Sequence, residues 1–256
     1  MTVLGEFVLP GPEPVWTATL VGALALFDVE EKAARQALAR TAAEGWLRAE
    51  RIGRRARWSL SARGRQLLSE GAERIYAFGV GSATWDGQWL MLLASVPESR
   101  RDLRHRLRTR LSWSGFGSPA PGVWVSPDTS REAEARRIIG ELELDSEAMS
   151  FVARCGSIGE ANAMVGKAWQ LAELAGRYAD FIEEFIGLLP ADGEEVMVAQ
   201  TRLVHAWRRF PFLDPALPEE LLPEQWSGTA AAKVFHDKHA DWRAGAQRHW
   251  ASLLQR

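Results

Sequence analysis

The chain has 256 residues, 46% hydrophobic and 25% charged, which is long for one domain and enough for two or three with cores of their own. Its single cysteine, Cys155, excludes an intrachain disulfide, and with no Cys/His cluster a structural zinc site is not expected. The formal net charge is only −2, so any strongly charged surface has to be local. Met1 to Trp16 carries acidic and proline residues where a signal peptide needs a basic start, and no later apolar run can span a bilayer; a cytoplasmic chain is expected. The twelve Trp residues read as core anchors rather than ligand platforms.

In chain order, Val15 to Phe27 is apolar almost all round and reads as a buried helix. A second helix follows from Asp28, which can serve as N-cap with Glu31 completing a capping box, and it stops at Gly45. Ala34, Ala37, Leu38 and Thr41 form its inward stripe, leaving Lys32, Arg35, Gln36 and Arg40 outward. Leu47 to Arg51 and Arg55 to Leu60 then pair as a hairpin around Ile52, Gly53 and Arg54, and a third helix starts at Ser61 as N-cap. Between Lys32 and Arg65 there are ten Lys or Arg against two acids, about +8, which leaves about −10 for the rest.

A basic helix face in isolation is more often a solvated surface. Here helix, turn, helix and an Arg-tipped hairpin come in the order of a winged helix, so the segment is read as a DNA-binding module. Lys32, Arg35, Gln36 and Arg40 face DNA in that reading. Arg35 and Arg40 suit base edges, while Arg54, Arg55 and Arg57 suit the phosphate backbone or the minor groove.

The segments EGWLRAERIGRRARWSLSARG, WDGQWLMLLASVPES, SWSGFG with GVWVSP, and DPALPEELLPEQWSG resemble, in that order, the hallmark blocks of the PaaX-like transcriptional regulators, repressors of phenylacetic-acid degradation operons. The blocks run from Glu44 to Gly228 and so cover most of the chain. It departs at its start, where family members carry more residues ahead of a first helix, read here as about Thr2 to Leu9.

After a small, polar linker from Gly79 to Thr84, the spacing gives a strand at Trp89 to Val96 and a helix opening at Pro97 and Glu98. Short strands at Phe116 to Ser118 and Gly122 to Ser126, a helix from Ser130 to Leu142 and a strand from Ala148 to Arg154 complete β-α-β-β-α-β, the ferredoxin-like plan. The resemblance implies that this unit is Cas2-like. Cas2-type nucleases hold Mg²⁺ with an Asp near the end of the first strand; Ser95 stands there, and Asp86 and Glu98 are read as structural or solvated, so no catalytic residue and no metal ligand are assigned. The Arg100 to Arg110 face is solvated surface by default. Its functional readings are an anion site for effector phosphates at Arg100, Arg101, Arg104 and Arg108, or an ion-pair seam with the acidic C-terminal region.

From Ser157 the chain reads as helical: one periodic stretch to Leu189, a helix from Glu194 to Phe210, a proline-rich strap from Pro211 to Gly228 taken as structural, and a helix from Thr229 to Gln255. His236 and His239 have a spacing that could bind a metal but are read as solvated helix histidines.

The fold expected is α+β: an N-terminal winged helix-turn-helix over 1–78, a middle ferredoxin-like (Cas2-like) domain over 85–156 and a C-terminal α-helical domain over 157–256. The function expected is a DNA-binding transcriptional regulator acting as a homodimer on double-stranded operator DNA, with no cofactor and no enzymatic activity. Family resemblance implies repression of a phenylacetate-type catabolic operon relieved by an acyl-CoA effector, phenylacetyl-CoA in the best-known members. The rivals are a metal-dependent nuclease on the Cas2-like unit and a protein-interaction adaptor.

Overall fold

The structure, a computed structural model, describes residues 1–11, 14–81, 84–97 and 99–255. The chain divides into two compact units, one of Met1–Phe78, Phe181–Arg208 and Ala231–Arg256, the other of Gly79–Asp180 and Arg209–Ala230. Residues 181–208 and 231–256 fall in the first unit and residues 157–180 and 209–230 in the second. Glu98, and Ser82 and Ala83 of the expected linker, lie outside the described residues. Among the described residues no helix is long and apolar enough to cross a membrane.

In the first unit a helical turn, Leu4–Val8, precedes β1 (Val15–Trp16), α1 (Thr17–Ala25), α2 (Glu31–Ala43), β2 (Leu47–Ile52), β3 (Arg55–Leu60) and α3 (Ala62–Ala77). The three strands form an antiparallel sheet in the order β1-β3-β2. Val15 and Trp16, expected to be helical, instead extend the sheet opposite Trp58 and Arg57. Thr17 fixes that switch from strand to helix: its hydroxyl donates to Ala56 O at 2.8 Å and accepts from Trp58 Nε1 at 2.8 Å.

Asp28 is not the N-cap of α2. It takes φ +58°, with Asp28 N–H bonded to Ala25 O and Val29 N–H to Leu24 O, so it closes the C-terminus of α1 in a Schellman turn that a short polar residue tolerates. The N-cap of α2 is Glu30, without a side-chain cap. Gly45 ends α2 as expected, by the same pair of bonds and at φ +81°. The β2–β3 loop is two residues, and only Gly53 has positive φ, the type II′ arrangement that matches strand twist. Ser61 caps α3 as expected, accepting from Gly64 N at 2.9 Å, and its own hydroxyl donates to Gly45 O at 2.6 Å, so one side chain links the end of α2 to the start of α3.

The core of this unit joins Phe7, Val8, Val15, Leu20, Leu38 and Leu47 to Met197 of α8 (Glu194–Trp207) and Trp250 of α10 (Ser227–Leu254). Phe7 stacks on Trp250 at 5.6 Å between centroids. Beside that apolar contact lies a buried carboxylate: Glu6 accepts from Tyr76 OH, from Gln200 Nε2 at 2.9 Å and from His239 Nε2 at 3.4 Å. Burial alone pushes the Glu6 carboxyl up, but the hydrogen bonds from His239, Tyr76 and Gln200 outweigh it and hold the group below its ordinary range. His239 and His236 are therefore only partly exposed instead of fully solvated; both are half-buried, and His236 Nε2 lies 3.3 Å from Phe78 O. Among the described residues no group of three or more His, Cys, Asp or Glu is placed to hold a metal ion.

The second unit contains β4 (Trp89–Ala94), α4 (Arg101–Trp113), β5 (Gly117–Ala120), β6 (Val123–Ser126), α5 (Glu132–Glu141) and β7 (Ala148–Ala153). Its antiparallel sheet has the order β5-β6-β4-β7, the arrangement of the β-α-β-β-α-β plan. Leu90, Leu92 and Ala94 meet Leu103, Leu107 and Leu111 of α4 and Ile138 and Ile139 of α5 on one face. On the other, Trp89 and Val125 meet Val165 of α6 (Ala161–Ala168) and Leu171, the first residue of α7 (Leu171–Phe185). The single periodic stretch expected up to Leu189 is broken at Trp169 and Gln170, between α6 and α7. The helix expected to open at Pro97 begins at Arg101, with Pro97 O taken by Arg100 N–H in a turn. In the proline-rich strap, Asp214 accepts from Tyr178 OH at 2.6 Å and Ala216 N at 2.7 Å, and α9 (Phe210–Leu213) sets Phe210 against Tyr178 at 4.2 Å, in keeping with a structural role.

Candidate nucleic-acid interface

Helix α2 buries Ala34 and Leu38 and exposes Lys32, Arg35, Gln36 and Arg40, because apolar residues four apart share one face of a 3.6-residue helix. Thr41, also on the inward side, returns its hydroxyl to Ala37 O at 2.8 Å instead of competing for the surface. Lys32, Arg35 and Gln36 line a shallow concavity with Glu31 and Ala39, and Arg40 lies a turn further along. Arg35 is tied to Glu31 one turn back, at 2.7 Å, with both side chains more than half exposed. Such a pair is weak and opens at little cost to a stronger acceptor.

The hairpin alternates as the pleat requires. Leu47, Ala49 and Arg51 share a face with Leu60, Trp58 and Ala56, while Arg48, Glu50 and Ile52 share the other with Ser59, Arg57 and Arg55. Arg54, in the loop, and Arg55, at the first position of β3, are exposed at the tip. Arg57 differs from them: it is half-buried and engaged by Glu50 directly opposite. Arg48 and Arg51 are exposed on the same hairpin, and sequence reasoning misses them as individual candidates because their one signal is the segment's summed charge.

Of the candidate effector residues, Arg100 lies just outside α4, and Arg101, Arg104 and Arg108 follow at helical spacing, Arg104 half-buried and the others exposed. They form a surface stripe. Arg110 belongs to neither that stripe nor a seam with the C-terminal region: it donates to Glu141 of α5 at 2.6 Å, and Glu141 also accepts from Arg137 at 2.5 Å. The side-chain hydrogen bonds from Arg137 and Arg110 hold the Glu141 carboxyl below its ordinary range. Ser95 is exposed, and both oxygens of Asp86 are used by Gln88, whose backbone N and side-chain Nε2 lie 2.8 Å away. Five Trp residues (Trp89, Trp124, Trp207, Trp242 and Trp250) are buried anchors, whereas Trp113 is 79% exposed.

Three family models match the chain: PaaX-like protein over residues 1–64, PaaX protein central Cas2-like domain over 82–165 and PaaX-like protein C-terminal domain over 169–252. The chain is 33% identical over 231 residues to the transcriptional repressor PaaX of Escherichia coli (strain K12), covering 86% of this chain and 72% of that protein. It is similar in fold to the uncharacterized protein Rv0674 from Mycobacterium tuberculosis, with a TM-score of 0.65 and 23% identity over 96% of this chain and 97% of that one.

Proposed function

The chain belongs to the PaaX-like family, and we propose that it is a transcriptional repressor that grips operator DNA with a winged helix built from residues 1–78. The observation that carries this reading is the exposed basic face of α2 followed directly by an Arg-tipped hairpin, within a sheet ordered β1-β3-β2. In the proposal α2 enters the major groove. Its N-terminal Lys32, Arg35 and Gln36 reach base edges, its uncapped first-turn amides meet a phosphate, and Arg40 continues the contact. The hairpin is the wing, with Arg54 and Arg55 on the backbone or in the minor groove.

One such module covers one half-site, so the repressor works as a homodimer on a two-fold operator. Repression of an aromatic-acid operon, phenylacetate-type as in the resemblance, and relief by an acyl-CoA such as phenylacetyl-CoA belong to the same proposal, with Arg100, Arg101, Arg104 and Arg108 as the cationic side of the effector site. A nuclease reading lacks support: Ser95 replaces the expected carboxylate with a neutral hydroxyl, and Asp86 is consumed in a turn.

The test is recovery of bound genomic fragments by the purified chain, followed by titration of the enriched duplex at several salt concentrations with and without Mg²⁺. Salt-dependent, sequence-selective binding that leaves the strands intact supports the proposal. Binding indifferent to sequence and salt, or cleavage in Mg²⁺, overturns it.

A further inference from the structure

Strand β7 is an edge: in the order β5-β6-β4-β7 it pairs, among the described residues, with β4 alone, over an uninterrupted register from Trp89 opposite Ala153 to Ala94 opposite Ala148. Its sequence, Ala-Met-Ser-Phe-Val-Ala, has no charge, no proline and no bulge. Edge strands of natural proteins normally carry one of these devices, because an open row of backbone N–H and C=O groups otherwise templates another strand. The opposite edge has them. β5 contains Pro119, its register with β6 shifts between Gly117 and Ala120, and α6 with the following Trp169 lies so close that a Cβ on Gly117 would sit 2.5 Å from the Trp169 ring.

Among the described residues the β7 end of the sheet is left open. On the face that carries Trp89 and Val125, the β7 end leaves Met149 60% exposed, Phe151 45% and the neighbouring Leu93 of β4 38%, while Val152 on the face toward α4 and α5 is 51% exposed. The charges come at the ends, Glu147 immediately before the strand and Arg154 immediately after it, both exposed.

We propose that β7 pairs antiparallel with β7 of a second copy of this chain, about a two-fold axis perpendicular to the sheet, joining two four-stranded sheets edge to edge. Antiparallel pairing brings Glu147 of each copy to the end where Arg154 of the other emerges, one step apart and just beyond the strand, so that opposite charges are neighbours without being directly opposed; a parallel pairing would bring like charges together. A perpendicular two-fold keeps opposed side chains on the same face, which restricts the register to residues of equal parity. Centring it on Ser150 sets Met149 opposite Phe151 twice on the apolar face, each an aromatic–apolar cross-strand pair. The inference rests on the reading of a dimeric regulator and supplies the surface that reading lacks.

The experiment is sedimentation equilibrium of the full chain over a wide concentration range, for the native sequence and for Phe151→Asp, Glu147→Arg and Glu147→Arg/Arg154→Glu. All three positions are exposed, so the variants keep the fold. The native chain is expected to dimerise, Phe151→Asp and Glu147→Arg each to weaken the dimer tenfold or more, and the double reversal to restore most of what Glu147→Arg loses. A native chain that stays monomeric, a dimer indifferent to Phe151→Asp, or a double reversal no better than the single one overturns the interface. Binding to a single half-site duplex is measured alongside: its loss in the native chain counts against the regulator itself, whereas its retention with an indifferent dimer counts against β7 alone.

Discussion

Glu50 and Arg57 stand directly opposite each other across the β2–β3 hairpin, the guanidinium giving Nε to one carboxylate oxygen at 2.9 Å and Nη2 to the other at 3.0 Å. These side-chain hydrogen bonds lower the Glu50 carboxyl and raise the Arg57 guanidinium from their ordinary values. On an open surface the pair adds little stability, but it occupies the fork with which Arg57 would otherwise clamp a phosphate. Arg54 and Arg55 at the tip have no ion-pair partner among the described residues. Replacing Arg54 or Arg55 by Ala is therefore expected to weaken duplex binding on every sequence and lower the salt slope by roughly 0.9 for each phosphate no longer neutralised, whereas Arg57→Ala should change both less. Glu50→Ala should tighten binding by releasing Arg57. Anisotropy titrations at several salt concentrations check all four variants; an Arg57→Ala loss as large as that of Arg55→Ala would mean that DNA displaces Glu50.

Base preference should respond to α2 instead. Arg35→Ala and Gln36→Ala are expected to relax selectivity at particular positions by about 1–3 kcal/mol for each bidentate base pairing removed, with little change in salt slope for Gln36→Ala. Competition among operator variants reads this directly, and uniform weakening across all variants would assign these residues to the backbone.

Ser61 and Gly64 hold α2, the hairpin and α3 in register. Ser61→Ala removes both the cap on Gly64 N and the donor to Gly45 O, and about 1–2 kcal/mol of stability should go with them. Gly64→Ala should cost more, since its new Cβ would sit 2.1 Å from Trp46 O, a backbone atom that cannot swing aside. Urea unfolding measures both; equal losses for the two substitutions would show that the backbone at Trp46 yields.

The buried Glu6 gives the first unit an acid limit. Its folded pKa lies below the ordinary range, so it stabilises the native state above that range, and the contribution disappears as the pH falls from the ordinary glutamate range through the lower folded value. Tyr76 is pushed upward, by burial first and then by the Glu6 charge, and stays a proton donor at neutral pH. Glu6→Ala, which strands the Tyr76 hydroxyl and the Gln200 amide, should cost about 2–4 kcal/mol at neutral pH. Glu6→Gln should flatten the acid limb of a stability–pH curve, and an unchanged limb would exclude Glu6 as its origin.

What is legible in the sequence follows from local rules. Gly45 as a stop, Ser61 as a cap and the Ala34 and Leu38 stripe all depend on neighbours within one element or turn. Where tertiary partners decide, the sequence misleads. Val15 and Trp16 are strand because β3 offers them an edge, and Asp28 is left-handed because α1 must end before α2 can begin. His239 carries no sequence mark of burial, since its partner Glu6 lies 233 residues away. The same limit applies at the hairpin: counting Arg residues cannot tell Arg57, neutralised across the strand pair, from Arg54 and Arg55 at the tip.

The effector is the part of the proposal that calls for chemistry rather than geometry. A ligand releases the operator only if it favours the unbound form, and a hundredfold release needs about 2.7 kcal/mol of differential affinity. An acyl-CoA offers two handles: an acyl or aromatic group for an apolar site and phosphates for the cationic stripe of α4. Titrating the protein–operator complex with phenylacetyl-CoA, phenylacetate and CoA separates them. Release by the thioester alone is the expected result; release by CoA to the same extent would reduce the recognition to phosphates, and no release by any at millimolar concentration would remove this effector. Arg108→Ala, at an exposed position on α4, should raise the concentration of thioester required while leaving duplex affinity in its absence unchanged. If Arg108→Ala and the native chain respond identically, the stripe is solvated surface and the phosphates bind elsewhere.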